Sequence, residues 1–338
     1  MSSNTSPVRR RVLLVGLGTT TATALESLAA KFTVVGLVRE ANQEALDPVI
    51  ARARQLDVPL IPTATIAAIE SAIDQLYPDC VVVSSFHRIL PDSLLVRCRF
   101  VNVHYALLPR YRGRANVNWA VLNGEKSTGI SIHEMAPGLD AGNILFQAAI
   151  PIGEHDNVTD LYERLNGIQR VALADAVERF LDGDAGACQD ESKATYGCTR
   201  LPDDGEINWS ASTLSIHNLV RSLAPPFPGA FTYFEGKRLT VWRTQPVTGA
   251  PRYVGRVPGR VVRIARSEGF IEVLTGDGIL RVFEVQRDAE TVPAADVIRS
   301  VKATLGLRTT DLMRRVEELE KQLAAMTAAL HSAVPGGV

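Results

Sequence analysis

Apolar and polar residues change over in blocks along the first half of the chain. RVLLVGLG is an apolar run closing in glycines, TTTATALESLAA has helical periodicity, and KFTVVGLV is a second apolar run. Strand, helix, strand within about thirty residues is a βαβ unit, whose right-handed crossover requires a parallel sheet. NQEALDPVIARARQLDV and TIAAIESAIDQLY predict further helices, VPLIPT a short extended piece and PDCVVVSSF a buried strand. The alternation continues through FVNVHY, the helix NVNWAVLNG ending at Gly124, and the strands TGISIHEM and NILFQAAIPI. Leu161, Leu165, Ile168, Ala172 and Ala176 recur at helical spacing in a long helix from Val158 to Phe180. The pattern predicts one doubly wound α/β domain over residues 10–195.

After Gly183 the chain becomes polar and rich in turn formers, DGDAGACQDESKATYGCTRLPDDG, which suits a linker or connecting loop. A helix carrying HNLVRSL then leads to FTYF, RLTVWRT, GRVVRIA, FIEVLTG and ILRVFEV, short strands with glycine-bearing turns between them. That spacing predicts a second, β-rich domain over residues 204–305, a small barrel or sandwich. Over residues 309–332, Leu312, Val316, Leu319, Leu323, Met326 and Leu330 alternate four and three apart as a heptad seam. Such a seam suits either a helix packed on its own domain or a homodimer.

The 338 residues are 46% hydrophobic and 22% charged, the balance of a soluble globular protein. A net charge of -1 gives no electrostatic reason to expect a nucleic acid. Cys80, Cys98, Cys188 and Cys198 form no C-x-x-C pair and lack histidines at zinc spacing, so isolated thiols and no metal are expected. MSSNTSPVRRR lacks the apolar core of a signal peptide, and no apolar run reaches membrane-spanning length. The expected location is the cytoplasm, with no membrane partner.

Two stretches invite chemistry. Gly16-x-Gly18 follows a strand, and Glu40 stands where a dinucleotide fold carries its ribose-binding acid, but Thr21 occupies the third glycine position. A tight turn without a nucleotide is the expectation there. In NVHYALLPRYRG, Asn102 and His104 lie two apart in a strand and so share a face. The arginines Arg110, Arg112 and Arg114 follow, the Arg112/Arg114 pair being placed to bind an anion, and Asp140 sits in a Gly-Leu-Asp-Ala-Gly loop. Asn offers an N–H donor to an oxyanion, neutral His can take a proton near pH 7, and a carboxylate can support the imidazolium. With no Ser or Cys elbow, these parts suit direct acyl transfer to an amine.

Asn102-Val-His104, Leu107-Leu108-Pro109 with Arg112-Gly113, and Leu139-Asp140-Ala141-Gly142 resemble the signature of formyltransferases that use 10-formyltetrahydrofolate. The resemblance implies that Asn102 stabilises the oxyanion, His104 handles the amine proton and Asp140 tunes the histidine. It also implies folate contacts from Arg88, Ile89, Leu90, Arg114, Ala136, Pro137, Gly138 and Leu139, and a Rossmann-like catalytic domain followed by an OB-like β domain and a terminal helix. RGRANVNWAVLNGE, LPDDGEINW and HNLVRSLAPPFPGAFTYFEGKRLTVW are similar to sugar formyltransferases of the UDP-4-amino-4-deoxy-L-arabinose type. A nucleotide-linked amino sugar is therefore the expected acceptor, with methionyl-tRNA and a hydroxyornithine-type amine as alternatives. Tyr105 and Ala106 depart from that pattern and are expected to reshape the acceptor side. His87 and His133 border these stretches, and their part in the site stays open.

Overall fold

The computed structural model describes residues 9–41 and 47–333, with side chains to residue 329. The chain divides into two units, Met1–Val121 with Glu125–Arg200, and Leu122–Gly124 with Leu201–Val338.

In the first unit the apolar runs become β1 (Arg11–Val15), β2 (Thr33–Val38), β3 (Leu60–Ile61), β4 (Cys80–Ser84) and β5 (Arg99–His104), all parallel. Between them lie α1 (Thr21–Lys31), α2 (Pro48–Gln55), α3 (Ile66–Leu76) and α4 (Asp92–Leu95). The short β6 (Arg112–Gly113) and α5 (Asn116–Leu122) precede β7 (Ser127–Glu134) and β8 (Ile144–Pro151), which join the same sheet antiparallel. The strand order is β3-β2-β1-β4-β5-β7-β8, reversing direction of travel between β1 and β4, where doubly wound sheets open a crevice at their carboxyl ends.

Local chemistry fixes the ends of these elements. Asp47 caps α2 by accepting from the Val49 N–H at 2.8 Å, with Pro48 in the first turn, where its missing N–H costs nothing. The predicted start of this helix at residues 42–46 lies outside the described residues. Asn157 and Asp160 form a capping box at the start of α6 (Val158–Leu181). Ile168 and Ala172 are only partly buried, and Gln169 occupies the buried stripe of α6 between Leu165 and Leu173.

The glycine turn after β1 is filled by protein. A Cβ on Gly16 would lie 2.4 Å from the Ser84 carbonyl oxygen, and the Arg39 guanidinium donates to the Gly16 carbonyl at 3.0 Å. Glu40 pairs with Arg88 at 3.5 Å. The two glycines thus serve close packing of β1 against the end of β4.

Of the two expectations for the segment after Gly183, a connecting loop within the first unit is what forms. Ala187 bridges Ile144, and β9 (Tyr196–Gly197) pairs parallel with β6. Its polar composition reflects a chain tied by side-chain hydrogen bonds rather than by apolar burial.

The second unit begins with α7 (Thr213–Ser222). β10 (Ala230–Phe234), β11 (Lys237–Pro246), β12 (Val261–Ala265), β13 (Phe270–Leu274), β14 (Ile279–Arg287) and β15 (Glu290–Pro293) follow. They form one antiparallel sheet in the order β10-β11-β14-β13-β12, with β15 on β14. Its core gathers Trp209, Ile216, Val241, Ile271 and Leu280, and α8 (Ala294–Val297) contributes Ala294 and Ala295. α9 (Thr309–Ala333) carries the heptad seam, with Leu312, Val316, Leu319, Leu323 and Met326 all exposed. The side chains of Leu330 and His331 and the tail from residue 334 lie outside the described residues. No helix among the described residues is long and apolar enough to cross a membrane.

Leu13 is fully buried in β1, the strand between β2 and β4. Leu13→Ala should cost about 2–5 kcal/mol through lost transfer energy and a residual cavity. Urea unfolding should show a lower midpoint with an unchanged slope.

Candidate active site

β5 ends at His104, and antiparallel pairing sets Asn102 opposite His133 and His104 opposite Ser131. Directly opposed residues share a face, so two polar pairs, one per strand, make a single polar patch. Val103 and Tyr105 point to the other side. The Tyr105 hydroxyl lies 2.6 Å from Asn166 Oδ1 and 2.5 Å from Gln169 Oε1 on α6, and burial pushes its pKa up. This corrects the expected influence of Tyr105 on the acceptor, because strand alternation turns it away from the patch.

The Leu-Leu-Pro stretch folds the chain back over the end of β5. Ser131 Oγ donates to the Ala106 carbonyl at 2.7 Å and accepts from the Leu108 N–H at 3.2 Å, and the Leu108–Pro109 peptide is cis. The turn carries Tyr111 at φ 58° and Gly113 at φ 93°, a conformation suited to glycine. A Cβ on Gly113 would also meet the Gly197 carbonyl oxygen at 2.8 Å. So folded, the turn brings the Tyr111 carbonyl to 2.8 Å from His104 Nε2 and sends the Gly113 N–H to Asp140 Oδ2 at 2.8 Å.

Asp140 reaches the patch from the loop between β7 and β8, itself at φ 50°. The motif needs its last glycine because a Cβ on Gly142 would sit 1.9 Å from the Glu134 carbonyl oxygen. Asp140 Oδ2 lies 3.5 Å from His104 Nδ1, and Asp140 Oδ1 accepts from Asn102 Nδ2 at 3.4 Å. The structure therefore brings Asn102, His104 and Asp140 together. His104 is buried and Asp140 nearly so.

Two further residues complete the arrangement. His133 is fully buried, and its Nδ1–H donates to the Glu134 carbonyl at 2.8 Å, leaving Nε2 to accept from Asn102 Nδ2 at 3.1 Å. Burial holds this imidazole neutral, with its pKa pushed down to about 4, although the nearby Asp140 charge opposes the shift. Asn116, at the start of α5, has its amide 3.0 Å from His104 Nε2. The same Nδ2 donates to the Gly113 carbonyl at 3.3 Å, while Oδ1 is buried without a donor. The signal for His133 was present in ISIHE, which alternates Ser131 and His133 as NVH alternates Asn102 and His104. Nothing in the sequence marks Asn116 apart from its nearness to the arginine turn.

The expected folate residues fall on the loops after β4 and β7 and, for Arg114, on the turn before α5. Ile89 is 84% exposed and Leu139 47% exposed, whereas Leu90 is buried in the core with Val83 and Leu94. The Leu90 side chain is therefore unavailable to a ligand. Arg88 is half-exposed beside Glu40, and Arg114 donates to the His87 carbonyl, tying the turn to the loop after β4. Ala136, Pro137, Gly138 and Leu139 precede Asp140 in its loop, with Gly138 at φ 100°. His87 is exposed and stacks near Phe86. Arg112, expected to bind an anion, is buried and bonded to both carboxylate oxygens of Glu191 at 2.6 and 2.8 Å. Its charge is already used. Among the described residues no group of three His, Cys, Asp or Glu side chains is placed to hold a metal, and the four cysteines are free thiols.

A histidine kept neutral in the fold but free to protonate when unfolded weakens the native state as pH falls below its ordinary value near 6.5. The loss should grow down to about pH 4, where the native imidazole also protonates. His133→Gln should flatten this slope by up to one proton in urea titrations between pH 7.5 and 4.5. Identical slopes in the two proteins would exclude His133 as its source.

Residues 28–177 match the family model described as formyl transferase, and residues 201–302 match the formyl transferase C-terminal domain. A methionyl-tRNA formyltransferase of Citrifermentans bemidjiense is 33% identical over 288 residues, covering 83% of this chain and 88% of that protein. Another of Geobacter sulfurreducens is 34% identical over 269 residues, covering 77% and 82%. The N-formyltransferase of Helicobacter canadensis, solved with folinic acid and dTDP-3-aminofucose, superposes with a TM-score of 0.60. It covers 81% of this chain and 98% of that one, but at 17% identity the likeness is one of fold. These relatives overturn the expectation of a nucleotide-sugar acceptor and of no nucleic-acid partner, since those similar in sequence bear the name of a tRNA-modifying enzyme. The two matched domains and the shared sequence make this chain an enzyme of the formyl transferase family.

Proposed function

We propose that the protein transfers the formyl group of 10-formyltetrahydrofolate to the α-amine of methionyl-tRNA. The observation that carries the acceptor is the 33–34% identity, over most of both chains, to two methionyl-tRNA formyltransferases. Charge distribution supports it. Residues 204–310 hold fourteen Lys and Arg against ten Asp and Glu, so the whole-chain balance of -1 conceals a positive β unit and an acidic remainder. Phosphate contacts respond to that local surplus.

The donor is held by the loops carrying Arg88, Ile89, Ala136, Pro137, Gly138 and Leu139, with Arg114 between them. Exposed Ile89 and Leu139 offer apolar surface to a flat ring. Asn102 has one short bond to His133 and one longer bond to Asp140. Surrendering the longer one frees an N–H for the oxyanion that forms as the amine nitrogen attacks the formyl carbon. With Nε2–H donated to the Tyr111 carbonyl, His104 takes the amine proton at Nδ1. The resulting imidazolium faces the Asp140 carboxylate. His104 then returns the proton to the folate nitrogen as its bond to the formyl carbon breaks.

The reading is tested with charged initiator tRNA and 10-formyltetrahydrofolate, followed by mass spectrometry of the released amino acid. N-formylmethionine is expected, with acceptor affinity falling steeply as salt rises; unmodified methionine at every salt concentration would overturn the acceptor. His104→Ala should lower kcat by about 10²–10⁴-fold, and Asn102→Ala by about 10²–10³-fold. Unchanged turnover in either variant would remove that residue from the mechanism.

A further inference from the structure

The polar segment after α6 sends one side chain back to the loop that carries Asp140. The Gln189 amide nitrogen lies 2.7 Å from the main-chain oxygens of both Asp140 and Gly142. Its other end, Oε1, accepts from Arg112 Nη2 at 2.8 Å. Arg112 can only donate, so its guanidinium fixes which end of the amide faces which way. With Oε1 claimed by Arg112, both N–H groups of Gln189 point at the two carbonyls.

Arg112 is itself immobilised. It is buried, forked onto Glu191, and within 3.3 Å of the Tyr196 hydroxyl, while its own N–H donates to the Thr195 carbonyl at 2.8 Å. The next residue, Gly113, donates its N–H to Asp140 Oδ2. One dipeptide therefore acts on Asp140 twice, on the carboxylate through Gly113 and on the backbone through Arg112 and Gln189. The loop needs an outside tie, because Asp140 at φ 50° holds a backbone conformation that residues other than glycine populate sparsely.

We propose that Gln189 is a positioning residue for formyl transfer: oriented by Arg112, it clamps the Asp140–Gly142 backbone so that the Asp140 carboxylate meets His104 and Asn102. The inference rests on the reading of Asn102, His104 and Asp140 as the transfer site. It adds a group from a segment outside that trio, one that touches no reacting atom.

Gln189→Glu keeps the shape of the side chain but sets a carboxylate oxygen against two carbonyl oxygens, and Gln189→Ala removes the clamp. Both should lower kcat for methionyl-tRNA formylation by about 10- to 100-fold, the scale for losing an outer hydrogen-bond partner, with KM for the formyl donor unchanged. Hydrogen exchange of residues 136–143 in the free enzyme should quicken in both variants while α1 and α6 keep wild-type protection. A lowered melting temperature with wild-type kcat would reduce Gln189 to a structural role and overturn the proposal. So would wild-type kcat in Gln189→Glu, or slowed turnover with unaltered exchange in the loop. If the wild-type enzyme left methionyl-tRNA unformylated, the acceptor reading would fall, and exchange would decide alone. Faster exchange in both variants would then support the clamp, and unaltered exchange would end it.

Discussion

The Asp140 carboxylate is where three separately encoded pieces of chain meet. One oxygen accepts the Gly113 N–H and faces His104, and the other accepts from Asn102 and lies 3.7 Å from His133. A charge this enclosed is tolerable only when donors surround it. Its position therefore depends on the turn after β5, on the register of β7 against β5, and on the loop after β7 at once. The apolar sheet beneath supplies the rigidity, and the polar patch supplies the reason for its geometry.

Much of this was legible in the sequence because it follows from alternation. Asn102 and His104 could be set on one face by a period of two, and the glycines around Asp140 marked a loop bent too tightly for side chains. The predicted strands of both units correspond to β1–β5, β7, β8 and β10–β14, while β15 and the short β6/β9 pair lacked enough residues to form a pattern. What stayed hidden were contacts between segments distant in sequence. Gln189 and Glu191 sit in a stretch whose composition is that of a linker, and composition does not say that such a stretch is stitched to Arg112.

The acceptor was misread for a physical reason. RGRANVNW looked like substrate-specific sequence, yet its residues build the site itself. Arg112 is buried on Glu191, Gly113 holds Asp140, and Asn116 meets His104. Residues spent on holding the polar patch together carry no information about an acceptor. Net charge misled in the same manner, since a total near zero averages over units of opposite sign.

The two faces of β5 have divided labour. One carries Asn102 and His104, while the other sends Tyr105 into a hydrogen-bonded contact with α6. The pairings of β5 with β4 and β7 run without a bulge. Because side chains alternate, one inserted or deleted residue between Arg99 and His104 would exchange the faces, burying the polar pair against α6 and turning an apolar side chain into the patch. Such a strand can change by substitution but not by length. Insertions and deletions are therefore borne by the loops around β5 and not by the strand, whose residue count is fixed by the two faces it must serve.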